Sequence, residues 1–230
     1  MAPQMILHYA PDNASLCVRL ALLELDLPFR TMLVDRSIQA HKKPDYLALN
    51  PNGLIPTLET AQGPIYETGA ILLWLADQKP GDVFPTPTSD ARCAALRQLF
   101  WLSNTVHTTM RRLFYPALIA TSAQDDIRNH AMTELAGLFD MLEADQNASW
   151  LDTDTPSILA CYFAPLMRWP RLYGDPSNVW LTAQRYPRLF RFAKRFEMRD
   201  TMRVAAQAEG LGPTPISAPH LPNPPEGTAT

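Results

Sequence analysis

Cysteine occurs only three times in 230 residues, as Cys17, Cys93 and Cys161, and no two form a C-x-x-C pair. That scarcity excludes a disulfide framework and a vicinal redox pair, and it suits a reducing cytoplasm. Histidine is also sparse, with five scattered residues. None has the spacing of a metal-ligand set, so no metal is expected. An excess of one charge is missing too: 20 basic against 23 acidic residues leave a net charge of -3. This argues against nucleic acid or an anionic membrane surface as a partner. No apolar run approaches the ~18 residues of a membrane span, and the opening MAPQMILHYAPDN lacks the basic start and apolar centre of a signal peptide.

What is present is enough apolar material, 47% of the chain, for sizeable cores. Residues 50–77 concentrate the local signals. Asn50-Pro51-Asn52-Gly53 is turn chemistry. Residues 54–58 read as a strand with Pro56 inside it. Proline donates no ladder hydrogen bond, so this strand lies at an edge or starts in a special way, a cis Ile55–Pro56 bond being one solution. Gln62-Gly63 turns the chain and residues 64–66 form the next strand. Glu67-Thr68-Gly69 then precedes an apolar helix. A carboxylate and a hydroxyl at a helix N-terminus suggest a small recognition site.

Upstream, residues 5–9 and 29–34 read as strands around a helix with Leu16, Leu20, Leu23 and Leu27 at helical spacing. Ser15 is placed to cap that helix. A polar connection at residues 35–43 carries His41, Lys42 and Lys43. The order β-α-β, short helix, β-β-α predicts a mixed four-stranded sheet. Residues 79–89 read as a linker. Beyond it the signals are helical throughout. Leu96, Leu99, Phe100, Val106, Met110, Leu113 and Phe114 approximate a core stripe. Asn104, His107 and Arg111 share a helix face. Pro165 and Pro170 are expected to interrupt the helix that Ser157 opens. The tail, residues 211–230, is proline-rich and reads as an extended segment, either laid across the protein or loose. The organisation is therefore residues 1–78, a linker at 79–89, an all-helical domain at 90–210, and the tail.

The run Asn50-Pro51-x-Gly53-x-Ile55-Pro56-x-Leu58, followed by Glu67-Thr68-x-Ala70-Ile71, resembles the cytosolic glutathione transferases. Residues 100–107 resemble their bacterial beta-type branch. The resemblance implies a thioredoxin-like α/β domain followed by an all-α domain, glutathione as co-substrate, and a homodimer. It implies that Ile55, before the family's cis-proline Pro56, pairs its backbone with the cysteinyl part of glutathione. Glu67 and Thr68 would hold the γ-glutamyl end; the family usually has Glu-Ser there. Lys42, Lys43 or His41 would meet the glycyl carboxylate, unless that basic cluster is a solvated loop. His107, with Asn104 on its face, would lie near the thiol.

A thiol needs a donor or positive charge to ionise near neutrality. Three residues near the start of the first helix qualify. Ser15 matches the spacing of serine-type transferases, Tyr9 sits at the strand end used by tyrosine-type ones, and Asn13 has a donor amide. The beta-type branch has a catalytic cysteine where this chain has Ala14, which weighs against thiol exchange through the protein. Cys17 is offset onto the helix and expected to be buried. The function expected is conjugation of glutathione to a small apolar electrophile, with Met110, Phe114 and Tyr115 as walls of the acceptor cleft. The alternatives are a glutathione-binding protein without turnover, and a glutathione-dependent peroxidase or disulfide reductase.

Overall fold

The computed structural model describes residues 5–174 and 180–229 and opens on a β-α-β unit. β1 (Met5–Tyr9) leads into α1 (Ser15–Glu24), and β2 (Phe29–Leu33) returns parallel to β1. The short α2 (Pro44–Leu47) follows. β3 (Thr57–Thr60) pairs antiparallel with β1, and β4 (Gly63–Tyr66) with β3, so the mixed sheet runs β2-β1-β3-β4. α3 (Thr68–Gln78) completes the thioredoxin-like unit. One boundary differs from the sequence expectation. The strand expected at residues 54–58 begins at Thr57, which is in register with His8. Pro56 therefore interrupts no ladder, and the Ile55 backbone is left outside the sheet; the Ile55–Pro56 bond is cis.

The rest is helical, with no further strand among the described residues: α4 (Ala91–Trp101), α5 (Thr108–Phe114), α6 (Gln124–Ala144), α7 (Ile158–Arg168), α8 (Pro170–Tyr173), α9 (Pro187–Glu197) and α10 (Asp200–Glu209). A π-helical stretch, Leu102–His107, joins α4 to α5 without a break. The buried stripe of this long helix passes through Ala95, Leu99, Leu102, Val106, Met110 and Leu113. Phe100 sits one residue round from Leu99 and is 51% exposed, not in the core as expected. Pro165 does not interrupt α7 but lies inside it, because the surrounding core outweighs the lost backbone bond. Ser157 caps α7, accepting from the Leu159 amide at 3.1 Å, which contributes about 1 kcal/mol.

Two helices are buried nearly all round. Residues 15–22 of α1 and all of α7 are shielded from solvent, and the two pack on each other. A helix apolar on every face belongs at the centre of a core. This contact joins the two parts of the chain and brings the loop before α1 against the end of α7. The tail is laid down on the protein. Proline supplies no N–H, so the tail's carbonyls are met by side chains: Arg168 donates to Pro215 O at 2.8 Å and His220 O at 2.7 Å, and Arg171 to Ser217 O at 2.6 Å. Among the described residues no helix is long and apolar enough to cross a membrane.

Candidate active site

A pocket opens where the loop before α1, residues 54–56 and the start of α3 face the π-helical stretch, α5 and the α7–α8 corner. Asn13, Ala14, Ile55, Pro56, Glu67 and Thr68 line its thioredoxin-like side. The turn at residues 50–53 fixes the segment that carries Ile55. Asn50 Nδ2 donates to Leu54 O at 2.8 Å, and the Tyr46 hydroxyl donates to the same oxygen at 2.6 Å. Gly53 has a φ of +58°, and a Cβ there would lie 2.8 Å from His41 O. Glycine is thus required on both counts.

Glu67 has a φ of 71°, which costs a non-glycine residue energy, and its carbonyl accepts from the Ile71 amide at 3.0 Å. That backbone sets Glu67 and Thr68 at the mouth of α3, where first-turn amides and the helix dipole favour an anion. Lys42 is not brought to the pocket lining: its Nζ donates to Gly53 O at 3.0 Å and holds the turn. Neither His41 nor Lys43 lines it. The basic groups lining the pocket, His107 aside, are Arg36 and Arg111. Arg36 donates to Ala229 O at 2.5 Å and to the Tyr115 hydroxyl at 3.3 Å.

The three thiol-activator candidates separate by geometry. Ser15 does not reach the pocket. It is fully buried, and its hydroxyl donates to Ala10 O at 3.1 Å while accepting from Ala10 N at 3.3 Å. Nor does it act as the N-cap: Ala14 holds that position, with no side-chain bond. Tyr9 points away as well, into an Arg19 guanidinium 4.7 Å from its ring centroid, and its hydroxyl donates to Glu226 at 2.5 Å. Burial and that carboxylate raise the Tyr9 phenol well above its usual range. Asn13 lines the pocket, and its Oδ1 accepts from the Ala14 amide at 3.0 Å, which identifies Nδ2 as the end with a donor to offer. Cys17 is buried behind it, with its thiol pushed up by desolvation.

The facing wall is set by the π-helical stretch. The wider turn brings Ser103, His107, Thr108 and Arg111 to the pocket, while Asn104 is exposed and outside its lining. The face expected for Asn104 from α-helical spacing is therefore rotated away. His107 Nδ1 is 3.1 Å from the Tyr162 hydroxyl, and burial, aided by Arg111, holds the imidazole down to about 4. It is neutral at physiological pH. Phe114, Tyr115, Trp169 and Tyr173 complete the apolar side. Met110, expected there, is wholly within the core.

A buried polar cluster centres on Asp12, which itself lines the pocket. Asp12, 4% exposed, has a φ of 50°. Its Oδ1 accepts from Arg168 Nε and Trp169 Nε1, both at 2.8 Å, and its Oδ2 from the Tyr173 hydroxyl at 2.5 Å. Its amide donates to Glu209 Oε2 at 2.8 Å, and Arg19 Nε donates to Glu209 Oε1 at 2.7 Å. Burial raises Glu209 to about 7 against the pull of Arg19. Sequence reasoning missed Asp12, Arg36, Ser103, Tyr162, Trp169 and Tyr173. Arg36 stood in the polar connection at residues 35–43; the others became visible only through tertiary contacts.

Residues 14–78 match the family model for the glutathione S-transferase N-terminal domain. Glutathione S-transferase GST-4.5 of Xanthomonas campestris pv. campestris is 31% identical over 221 residues, covering 90% of this chain and all of that protein. A glutathione transferase homologue from Sulfitobacter, solved with bound glutathione, superposes with a TM-score of 0.75 at 25% identity, covering 87% of this chain and 96% of that one. The beta-class glutathione S-transferase of Sphingomonas chungbukensis superposes with a TM-score of 0.71 at 26% identity, over 89% of this chain and 98% of its own. On the full-length relation to a named transferase and on this fold, the chain belongs to the cytosolic glutathione transferase family of bacterial type, and is a glutathione transferase with glutathione as its co-substrate.

Proposed function

We propose that the pocket binds glutathione along its thioredoxin-like side and joins its sulfur to an apolar electrophile held against the aromatic side. The observation supporting this is a cavity shared by Asn13, Ile55, Glu67 and Thr68 on one wall and Phe114, Tyr115 and Trp169 on the other. The Ile55 backbone, free of the sheet, pairs with the cysteinyl peptide unit. Thr68, through its amide and hydroxyl, takes the α-carboxylate at the α3 N-terminus, and Glu67 takes the ammonium. Arg36 replaces Lys42 as the cation for the glycyl carboxylate.

The sulfur then lies at the mouth of α1. Asn13 Nδ2 donates to it, and the helix N-terminus adds partial positive charge; both stabilise the thiolate over the thiol. The thiol proton leaves to solvent. The sulfur lone pair forms the C–S bond at an electrophilic carbon, and the electron pair departs with a leaving group or into a conjugated acceptor. The same reading includes a cytoplasmic location, a homodimer and a part in detoxification. Three free thiols fit that compartment.

The test is conjugation of glutathione to a generic aromatic electrophile beside calorimetric glutathione binding, with light scattering for the dimer. Asn13→Ala is expected to lower kcat roughly 100-fold to 1000-fold, the scale of one lost donor to a developing charge. Binding without turnover would favour ligand carriage. Turnover of a peroxide or disulfide but of no electrophile would favour the reductase alternative.

A further inference from the structure

We infer that Asp12 is the positioning residue of this site, a point at which the C-terminal helices aim the Asn13 loop and the aromatic acceptor wall at one another. This rests on the assignment of Asn13 as the thiolate donor. Asp12 immediately precedes Asn13, so its backbone sets the direction of that side chain. The backbone is held from α10, through the Glu209 carboxylate on the Asp12 amide at 2.8 Å. The side chain is held from the end of α7 and from α8, through Arg168, Trp169 and Tyr173.

Two of those three donors are pocket walls. The Trp169 ring lies 5.7 Å from His107, and the Tyr173 ring 6.2 Å from Phe114. One carboxylate therefore fixes the sulfur-side donor and the acceptor side with the same bonds. Arg168 extends the connection to the tail through Pro215 O and His220 O. Ser15, by contrast, fixes only the root of the loop at Ala10. Each carboxylate of the cluster faces an arginine, Arg168 on Asp12 and Arg19 on Glu209, which offsets part of the cost of burying them. Misplacement of a catalytic donor by about an ångström is enough to cost up to two orders of magnitude in rate.

Asp12→Asn tests this. Asparagine tolerates the left-handed backbone and keeps one acceptor oxygen, so backbone strain is not the variable. Three readouts are compared: kcat, KM for glutathione, and the pKa of the enzyme-bound thiol followed by thiolate absorbance. Asp12→Asn is expected to lower kcat roughly tenfold, to leave KM within about threefold, and to move the bound thiol toward about 8.5, the value of a free thiol. Asn13→Ala, measured beside it, should move the thiol the same way. If Asn13→Ala moves neither quantity, the donor assignment fails and the inference with it. If Asn13→Ala moves the thiol while Asp12→Asn lowers only the melting temperature, Asp12 is structural and the inference alone is overturned. Should Asp12→Asn not fold, Glu209→Gln, which reaches the loop through the Asp12 amide, replaces it; an unchanged bound-thiol pKa there overturns the inference.

Discussion

Ser15→Ala distinguishes a catalytic hydroxyl from a structural one. The Ser15 hydroxyl and the Ala10 backbone are both wholly buried, and the hydroxyl serves the Ala10 carbonyl and amide at 3.1 and 3.3 Å. Removing it leaves two buried backbone groups without that partner. Each such group costs about 1–3 kcal/mol, and the longer of the two bonds belongs at the low end. The sum is about 2–4 kcal/mol. For a chain of this size 1 kcal/mol corresponds to about 2–4 °C, so Tm should fall by roughly 4–16 °C. The loop keeps its bonds to Glu209, Arg168, Trp169 and Tyr173, so turnover per folded molecule should change by less than about threefold, under 1 kcal/mol in the barrier. The assay is glutathione conjugation well below the melting transition, beside calorimetry of the same samples. A loss of two orders of magnitude in kcat at unchanged Tm would refute the reasoning and return the thiolate to Ser15.

Three further outcomes follow from the geometry. Arg168→Met strands the Asp12 carboxylate in the interior; urea unfolding should show a loss of about 3–5 kcal/mol, and a loss below about 1 kcal/mol would mean that solvent reaches the cluster. Truncation before Glu226 releases Tyr9 and Arg36 from the tail; KM for glutathione should fall by roughly threefold, the worth of one modest hydrogen bond, and a rise would show that the tail helps to form the site. His107, held at about 4 against its ordinary 6.5, stays neutral in the folded protein while the unfolded chain takes up a proton. Its contribution to stability is present above pH 6.5 and is lost as pH falls from there through about 4. Tm should therefore decline less steeply with acid in His107→Gln than in the parent, and parallel curves would contradict this.

The sheet, the turn and helix-start signals of residues 50–77 and the helical second half were legible in the sequence because their signals are local. Turn residues at 50–53, a proline before β3 and a carboxylate–hydroxyl pair opening α3 each act on their neighbours. Which of the activator candidates faces the pocket was not legible. Ser15, Tyr9 and Asn13 all stand within a few residues of one helix start, and only the fold decides which points into the pocket. Lys42 stays outside the pocket lining for a similar reason: the turn that it neighbours claims its ammonium. The acceptor wall was half legible. Phe114 and Tyr115 line the pocket as their place in the sequence suggests, but the π-helical stretch shifts the face, replacing Asn104 with Ser103 and Thr108. Hydrophobic spacing carries no sign of a wider helical turn. Asp12 and Glu209 lie 197 residues apart, and no local pattern reports such a pairing.

The position held by Ala14 bears on the chemistry in a way that the structure makes sharper. With alanine at the start of α1, no cysteine stands on the thioredoxin-like side of the pocket. Cys17 is buried with its Sγ 3.7 Å from Tyr162 O, Cys161 is buried within α7, and Cys93 lies on α4 outside the pocket lining. Desolvation holds both buried thiols protonated, and neither can meet glutathione without α1 and α7 separating. No cysteine lines the pocket, so the fold offers no thiol there for a mixed disulfide with glutathione. Any redox turnover would have to pass between glutathione molecules and substrate alone, with the protein acting only on the ionisation of the bound thiol. The amide donor proposed at Asn13 suits that chemistry, because it would lower the energy of the thiolate without forming a covalent bond to it, leaving the sulfur free to attack whatever the aromatic wall presents.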